Sequence, residues 1–390
     1  MTPQARVQAA IEILDLVIAA ARAKGAPADR IISDWFRSRR FAGSKDRRAV
    51  RELVYAAIRA CGDVPASGRA AMLRVAEGDA ALAALFDGSR HGPEPVRAAE
   101  PVAAAGAAPR WLEDALAASG IDTEGQAALL QRAPVDVRIN TLKAALAELP
   151  EPGEATVAPH ARRFPPDTPV EQWPAYQAGA IEVQDAGSQL VCEALAVRPG
   201  EAVVDLCAGA GGKTLALAAA MDNLGRLLAC DADRARLSRL PPRAERAGVT
   251  IAESRLLDAG REAAVLGDWA GMADAVLIDA PCSGTGTWRR NPEARWRLTP
   301  AEVARLAGLQ ERLLALAAPL VRPGGRLVYV VCSLLDAEGA DRIAEFLAAH
   351  PGWRAVPCAL GAGEPRGGGM RLTPRLDATD GFFVARLERL

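Results

Sequence analysis

Histidine is scarce in this chain: His91, His160 and His350 are the three among 390 residues, and none closes a strand-like run. That disfavours a Ser/His/Asp hydrolase and a histidine-rich metal site, so no metal is expected. Paired cysteines are absent too. The seven cysteines (Cys61, Cys192, Cys207, Cys230, Cys282, Cys332 and Cys358) form no CxxC motif, and no secretory leader is recognisable. Neither a disulfide framework nor a zinc knuckle is expected, and reduced thiols in a cytoplasmic protein are. No apolar run reaches about 18 residues, so neither a transmembrane helix nor a membrane partner is expected. The formal net charge is only −1. Any nucleic-acid surface must therefore come from local basic clusters.

What is present is the balance of a globular protein, 50% hydrophobic and 24% charged residues, in a chain too long for one ordinary domain. From Arg6 to about Phe86, apolar residues recur at helical spacing (Val7, Ile11, Leu14, Val17, then Leu53, Val54, Ile58), which predicts an all-helical domain over residues 1–86. Ser44 stands where a helix N-cap would be, with Asp46 in the first turn. Around it cluster Arg37, Arg39, Arg40, Lys45, Arg47, Arg48 and Arg51, a pattern that suits either a solvated helix face or a phosphate-contacting surface.

Residues 87–110, rich in Ala, Pro and Gly without a periodic apolar face, read as a linker. Residues 111–182 mix helical stretches near 111–118 and 123–131 with the strand-like VDVRINTL (135–142), giving a small α/β subdomain. Over 183–390 the pattern becomes regular. Strands at 202–206, 226–230, 275–279 and 326–331 alternate with amphipathic stretches such as 301–320, which predicts βαβ units and a parallel, Rossmann-like sheet.

Two of the cysteines follow apolar runs, Cys282 in VLIDAPCSGTG (276–286) and Cys332 in RLVYVVCSLL (326–335). Such runs deliver each thiol to a strand's carboxyl end, where open α/β sheets place their active sites. Upstream, DLCAGAGGKT (205–214) puts a glycine-rich turn between a strand and a helix. It lacks the Walker spacing and does not fit GxGxxG cleanly, which argues against a nucleotide triphosphate or a dinucleotide. Asp231, ending the following strand, is placed for ribose hydroxyls, and Asp258, near the end of the next, for adenine. Three acids in series, Asp205, Asp231 and Asp258, suit a cationic sulfonium better than a phosphate. The loop residues Cys207, Ala208, Gly209, Ala210, Gly211, Gly212 and Lys213, with Asp231, Asp258 and Asp279, form the candidate cofactor site, and S-adenosylmethionine is the expected cofactor.

Together with RINTLK (138–143), VQDAGSQLV (183–191), DAPCSGTGTWRRNPEARW (279–296), LVYVVCSLLDAE (327–338) and DGFFVARL (380–387), these segments make residues 135–390 resemble the Sun-type (RsmB/NOP) RNA cytosine-5 methyltransferases, in particular the ribosomal small-subunit methyltransferase B branch. The N-terminal helices resemble, more weakly, the NusB-like RNA-binding domain of that branch. The resemblance implies that Cys332 attacks carbon 6 of a cytosine, that Cys282 serves its release, and that Asp279 hydrogen-bonds the base edge. It also implies RNA as partner, with small-subunit ribosomal RNA the expected substrate and DNA not expected. Lys213 or the cofactor's positive charge would activate Cys332. Arg138 and Asn140 are placed beside the RNA and cofactor cleft, or in a structural role. Trp288, Arg289, Arg290, Arg295 and Trp296 suit phosphates and stacked bases at the active-site rim.

The chain departs from the family pattern in three places. Ala210 replaces a loop proline, Val331 replaces the threonine before the nucleophile, and the usual Glu-Asn-Glu survives as Glu338, followed by Gly339 and Ala340. Those departures leave open an RNA-binding assembly factor with an inactive methyltransferase fold. A transfer-RNA methyltransferase, and a DNA cytosine methyltransferase attacking through Cys282, also stay open at this point.

Overall fold

The computed structural model describes residues 1–39, 41–146 and 148–390. It divides into two compact units, residues 1–131 with 287–299, and residues 132–286 with 300–390.

The first unit carries the helices α1 (Pro3–Arg22), α2 (Ala28–Arg37), α3 (Ser44–Ala60), α4 (Gly68–Ala76), α5 (Ala80–Ala83), α6 (Arg110–Ala118) and α7 (Thr123–Ala128). The apolar spacing seen in the sequence closes its core: Val7, Ile11, Leu14 and Val17 of α1 meet Val50, Val54 and Ile58 of α3 and Met72 of α4. Gly68 is required where α4 approaches α1, because a Cβ there would lie 2.2 Å from the Ile11 carbonyl oxygen. The cap of α3 is one residue earlier than expected. Gly43 takes the extended conformation of the cap and Ser44 is the first helical residue, without a side-chain cap bond.

The stretch 87–110 is tied to these helices rather than free. Ala103 N donates to Ala70 O at 3.1 Å, Gly62 N to Ala104 O at 3.0 Å, and Arg69 Nη2 to Glu100 Oε2 at 3.0 Å. Residues 111–131, expected with the α/β subdomain, group with the helices.

Segment 287–299 joins this unit through buried side chains. Arg295 Nη2 donates to Ile58 O (2.6 Å) and Cys61 O (2.7 Å), carbonyls at the C-terminal end of α3 that no helical N–H can reach. Trp296 Nε1 donates to Gly62 O (3.2 Å), and Glu293 Oε1 accepts from Ala28 N (2.9 Å). Trp288, Arg289, Arg295 and Trp296 are buried, and Arg290 is half-buried. For Arg295 and Trp296 this differs from the expected place at an RNA-contacting rim: the Arg295 guanidinium and the Trp296 indole donate to backbone carbonyls.

The second unit holds two sheets. The smaller is antiparallel in the order β2-β3-β1-β4, with β1 (Val135–Ile139), β2 (Glu154–Ala155), β3 (Ala161–Phe164) and β4 (Ile181–Val183). The larger has nine strands: β5 (Ala202–Asp205), β6 (Arg226–Asp231), β7 (Ala252–Leu256), β8 (Ala273–Asp279), β9 (Val321–Val331), β10 (Trp353–Val356), β11 (Glu364–Arg366), β12 (Gly369–Leu372) and β13 (Phe382–Arg389). Their order is β11-β12-β13-β9-β8-β5-β6-β7, with β10 on β13. Strands β5 to β9 pair in parallel, as their near-continuous apolar runs predict. The C-terminal strands add antiparallel pairing, beginning with β13 on β9. Because β6 and β8 flank β5, the chain reverses its winding there and opens a crevice at the strands' carboxyl ends.

Candidate active site

Asp205, Asp231 and Asp279 end β5, β6 and β8, and Cys332 follows the last residue of β9, so the parallel register gathers all four at one edge of the sheet. The turn after β5 is shaped by Gly209 and Gly211, which adopt φ of +56° and +88°, where a side chain would be strained. A Cβ on Gly212 would meet nothing within 4 Å, so the loop leaves open space at the start of helix Gly212–Ala220. Asp231 holds this loop: its Oδ2 accepts from Gly209 N and its Oδ1 from Asp233 N, both at 2.7 Å. Asp258 lies exposed just beyond β7. Ala210, which replaces the loop proline, is braced by Arg243, whose Nη1 donates to its carbonyl at 2.7 Å while Nη2 reaches Glu182 at 2.9 Å.

The Asp205 side chain is fully buried. Its Oδ2 accepts from Thr214 Oγ1 at 2.7 Å, its Oδ1 has no protein partner, and burial pushes its pKa up to about 7. Lys213 Nζ lies 2.5 Å from Asp279 Oδ2. Burial alone would lower the lysine's pKa, but the Asp279 charge and hydrogen bond outweigh it and the ammonium is held above its ordinary value. Cys332 is a smaller contributor to the same rise.

The two motif cysteines meet. Cys282 Sγ lies 3.4 Å from Cys332 Sγ, and both side chains are half-buried. The contact with Cys332, reinforced by burial, raises the Cys282 pKa well above the ordinary thiol range. Burial raises Cys192 and Cys230 to about 12 and Cys61 and Cys358 to about 11, which leaves these as packing thiols. Cys207 is likewise pushed well up by burial.

A model of the 16S rRNA methyltransferase RsmB/F family matches residues 192–388, a stretch that includes both thiols, the glycine loop and the strand-end acids. The chain belongs to the RsmB/F family. It is 37% identical over 288 residues to a probable ribosomal RNA small subunit methyltransferase B from Synechocystis, covering 69% of this chain and 63% of that protein. With the ribosomal RNA small subunit methyltransferase B of Erwinia tasmaniensis it shares 35% over 265 residues, 66% of this chain and 60% of the relative. The matched part is thus about three fifths of those relatives' own length. Among solved structures, a methyltransferase homologue from Pyrococcus horikoshii matches at a TM-score of 0.60 and 27% identity, over 72% of this chain and 100% of its own.

Within this RsmB/F chain, other expected site residues are spent on the protein itself. Arg138 is buried with Nε on Gln184 Oε1 at 2.7 Å, and Asn140 Nδ2 donates to Gly179 O and Ala247 O, each at 2.8 Å. Both ends of the RIN segment thus brace the small sheet. Val331 is buried opposite Phe383 on β13. Of the basic cluster, Arg37 pairs with Asp34 at 2.7 Å and Arg39 lies 4.0 Å over the Trp35 ring, while Lys45, Arg47, Arg48 and Arg51 remain exposed on α3. Arg40 lies outside the described residues. Sequence reading missed Arg243, Glu182 and Gln310, because partners distant along the chain leave no local signal.

Proposed function

We propose that this protein methylates carbon 5 of a cytosine in RNA, with small-subunit ribosomal RNA as the substrate and S-adenosylmethionine as the methyl donor. The observation that carries the reading is the 3.4 Å contact between the Cys282 and Cys332 sulfurs. Neighbouring thiols suit a reaction in which one must bond to a pyrimidine and another must help it leave.

The site fits the cofactor by its chemistry. Open space over Gly212, the carboxylate of Asp231 at the loop and the unpartnered buried Asp205 Oδ1 offer acceptors for hydroxyls and a cation, in a loop without the Walker spacing. Gly209 to Lys213, Asp231 and Asp258 would hold the group, which supplies an electrophilic methyl when bound.

The chain's own residues do the rest. Cys332 gives up its proton to solvent and adds as the thiolate to carbon 6, which turns the ring into an enamine, nucleophilic at carbon 5. Asp279, oriented by Lys213, accepts from the base edge as charge develops. After methylation the carbon 5 proton leaves, its bonding pair restores the ring double bond, and the carbon–sulfur bond breaks with its pair returning to Cys332. Cys282 passes its proton to that sulfur and takes up the departing one, so both thiols are regenerated. A cytosine within a duplex must be extruded to reach them. The NusB-like reading of residues 1–86 and the exposed basic face of α3 favour an RNA-contacting role there, and an RNA substrate favours a cytoplasmic location. Among the described residues no helix is long and apolar enough to cross a membrane.

The test is methyl incorporation from labelled cofactor into small-subunit RNA, with bisulfite sequencing of RNA from cells with and without the chain. One lost methylcytosine is expected; tight RNA binding with no incorporation would favour an inactive assembly factor.

A further inference from the structure

A short turn beyond Cys332, the chain supplies a buried carboxylate that ties the two cysteine loops together. Glu338 is fully buried, and its acceptors are shared between those loops. From the Cys282 loop, Ser283 donates through N to Oε1 at 2.9 Å and through Oγ to Oε2. From the Cys332 loop, Ser333 Oγ donates to Oε2 at 2.6 Å. Gln310 Nε2 donates to Oε1 at 3.1 Å and to the Pro281 carbonyl at 2.9 Å, so the residue before Cys282 is held as well as the one after it. The Glu338 carbonyl in turn accepts from Tyr329 OH at 2.6 Å, anchoring the carboxylate to β9.

The hydroxyls form one connected network around the carboxylate. Thr285 Oγ1 accepts from Leu334 N at 2.8 Å and lies 3.1 Å from Ser333 Oγ, which accepts from Leu335 N at 3.2 Å and lies 3.1 Å from Ser283 Oγ. Each carboxylate oxygen receives two donors, filling its lone-pair sites.

We infer that Glu338 is a positioning residue for methyl transfer, clamping the Cys282 and Cys332 loops in the register that adduct release requires; the inference rests on the proposed function above. Attack needs Cys332 alone, whereas release needs Cys282 aligned with the carbon next to the one that Cys332 holds. A loosened clamp therefore slows release more than attack, and adduct accumulates. An ångström of misplacement is enough for about a 100-fold loss.

Glu338→Gln puts amide hydrogens opposite donors on one side of the former carboxylate and so opens the clamp there, and Ser333→Ala removes one strut with less disturbance. Both are incubated, as the full-length chain, with cofactor and substrate RNA, and the denaturation-resistant protein–RNA adduct is measured beside turnover. Expected is a fall in kcat of about 100-fold for Glu338→Gln, with KM for RNA little changed, and an adduct that disappears when Cys332→Ala is added. Ser333→Ala should show the same adduct with a smaller fall in kcat. If Glu338→Gln does not fold, Ser333→Ala alone decides. Turnover lost without adduct in the folded variants, or unchanged turnover, overturns the clamp. Failure of wild-type methylation together with no adduct from Cys282→Ala would instead overturn the functional reading.

Discussion

Cys282 and Cys332 leave different strands, β8 and β9, yet their sulfurs stand 3.4 Å apart. Parallel pairing of Asp279 with Val330 sets the two strand ends side by side, and the loops beyond them bring the thiols into contact. This geometry divides the labour between attack and release. Cys332→Ala should abolish methylation without forming adduct. Cys282→Ala should cut turnover by about 100-fold or more and leave RNA bonded to Cys332, visible as a slower band on denaturing gels.

Asp231 accepts through one carboxylate oxygen from Gly209 N of the cofactor turn and through the other from Asp233 N just beyond β6. Asp231→Ala should weaken cofactor binding by about 10- to 100-fold, the equivalent of about 1.5–3 kcal/mol for hydrogen bonds to a charged group. Isothermal titration with S-adenosylhomocysteine measures it, and an unchanged affinity would remove Asp231 from the site.

Asp205 gives a pH dependence whose sign follows from burial. Its folded pKa is pushed up to about 7 from an ordinary 3.8, so the folded state retains a proton that the unfolded state has lost. The stability it contributes is full below the unfolded pKa and is lost as pH rises between those two values, with no further loss above the higher one. Asp205→Asn, which mimics the protonated group, should remove this component, and urea titrations at intervals from pH 4 to 8 would show the flatter profile.

Arg295 is a structural donor in the helical unit. Arg295→Met leaves the Ile58 and Cys61 carbonyls without partners and should destabilise that unit by about 1–3 kcal/mol. The salt dependence of RNA binding should stay the same, whereas a phosphate contact would lower its slope by about one.

The sequence alone determined the parallel sheet, the strand-end acids, the glycine turn and the delivery of two motif cysteines to the ends of strands. Those are encoded locally, in apolar runs that must be buried on both faces and in turns that require glycine. It also held Glu338, but as a residue of unknown use.

Only the tertiary structure decided what each polar side chain touches. Arg295 and Trp296 carry the composition of an RNA-facing loop, yet carbonyls at the end of α3 claim their donors. Arg138 and Asn140 are taken up in the same way by Gln184, Gly179 and Ala247. The clamp at Glu338 draws on residues 283, 310 and 333, which come together only when β8 and β9 pair and helix Pro300–Ala317 lies beside them. A buried hydrogen-bonding group must find its partner wherever the fold offers one, and that choice is made by packing across the chain rather than by spacing along it.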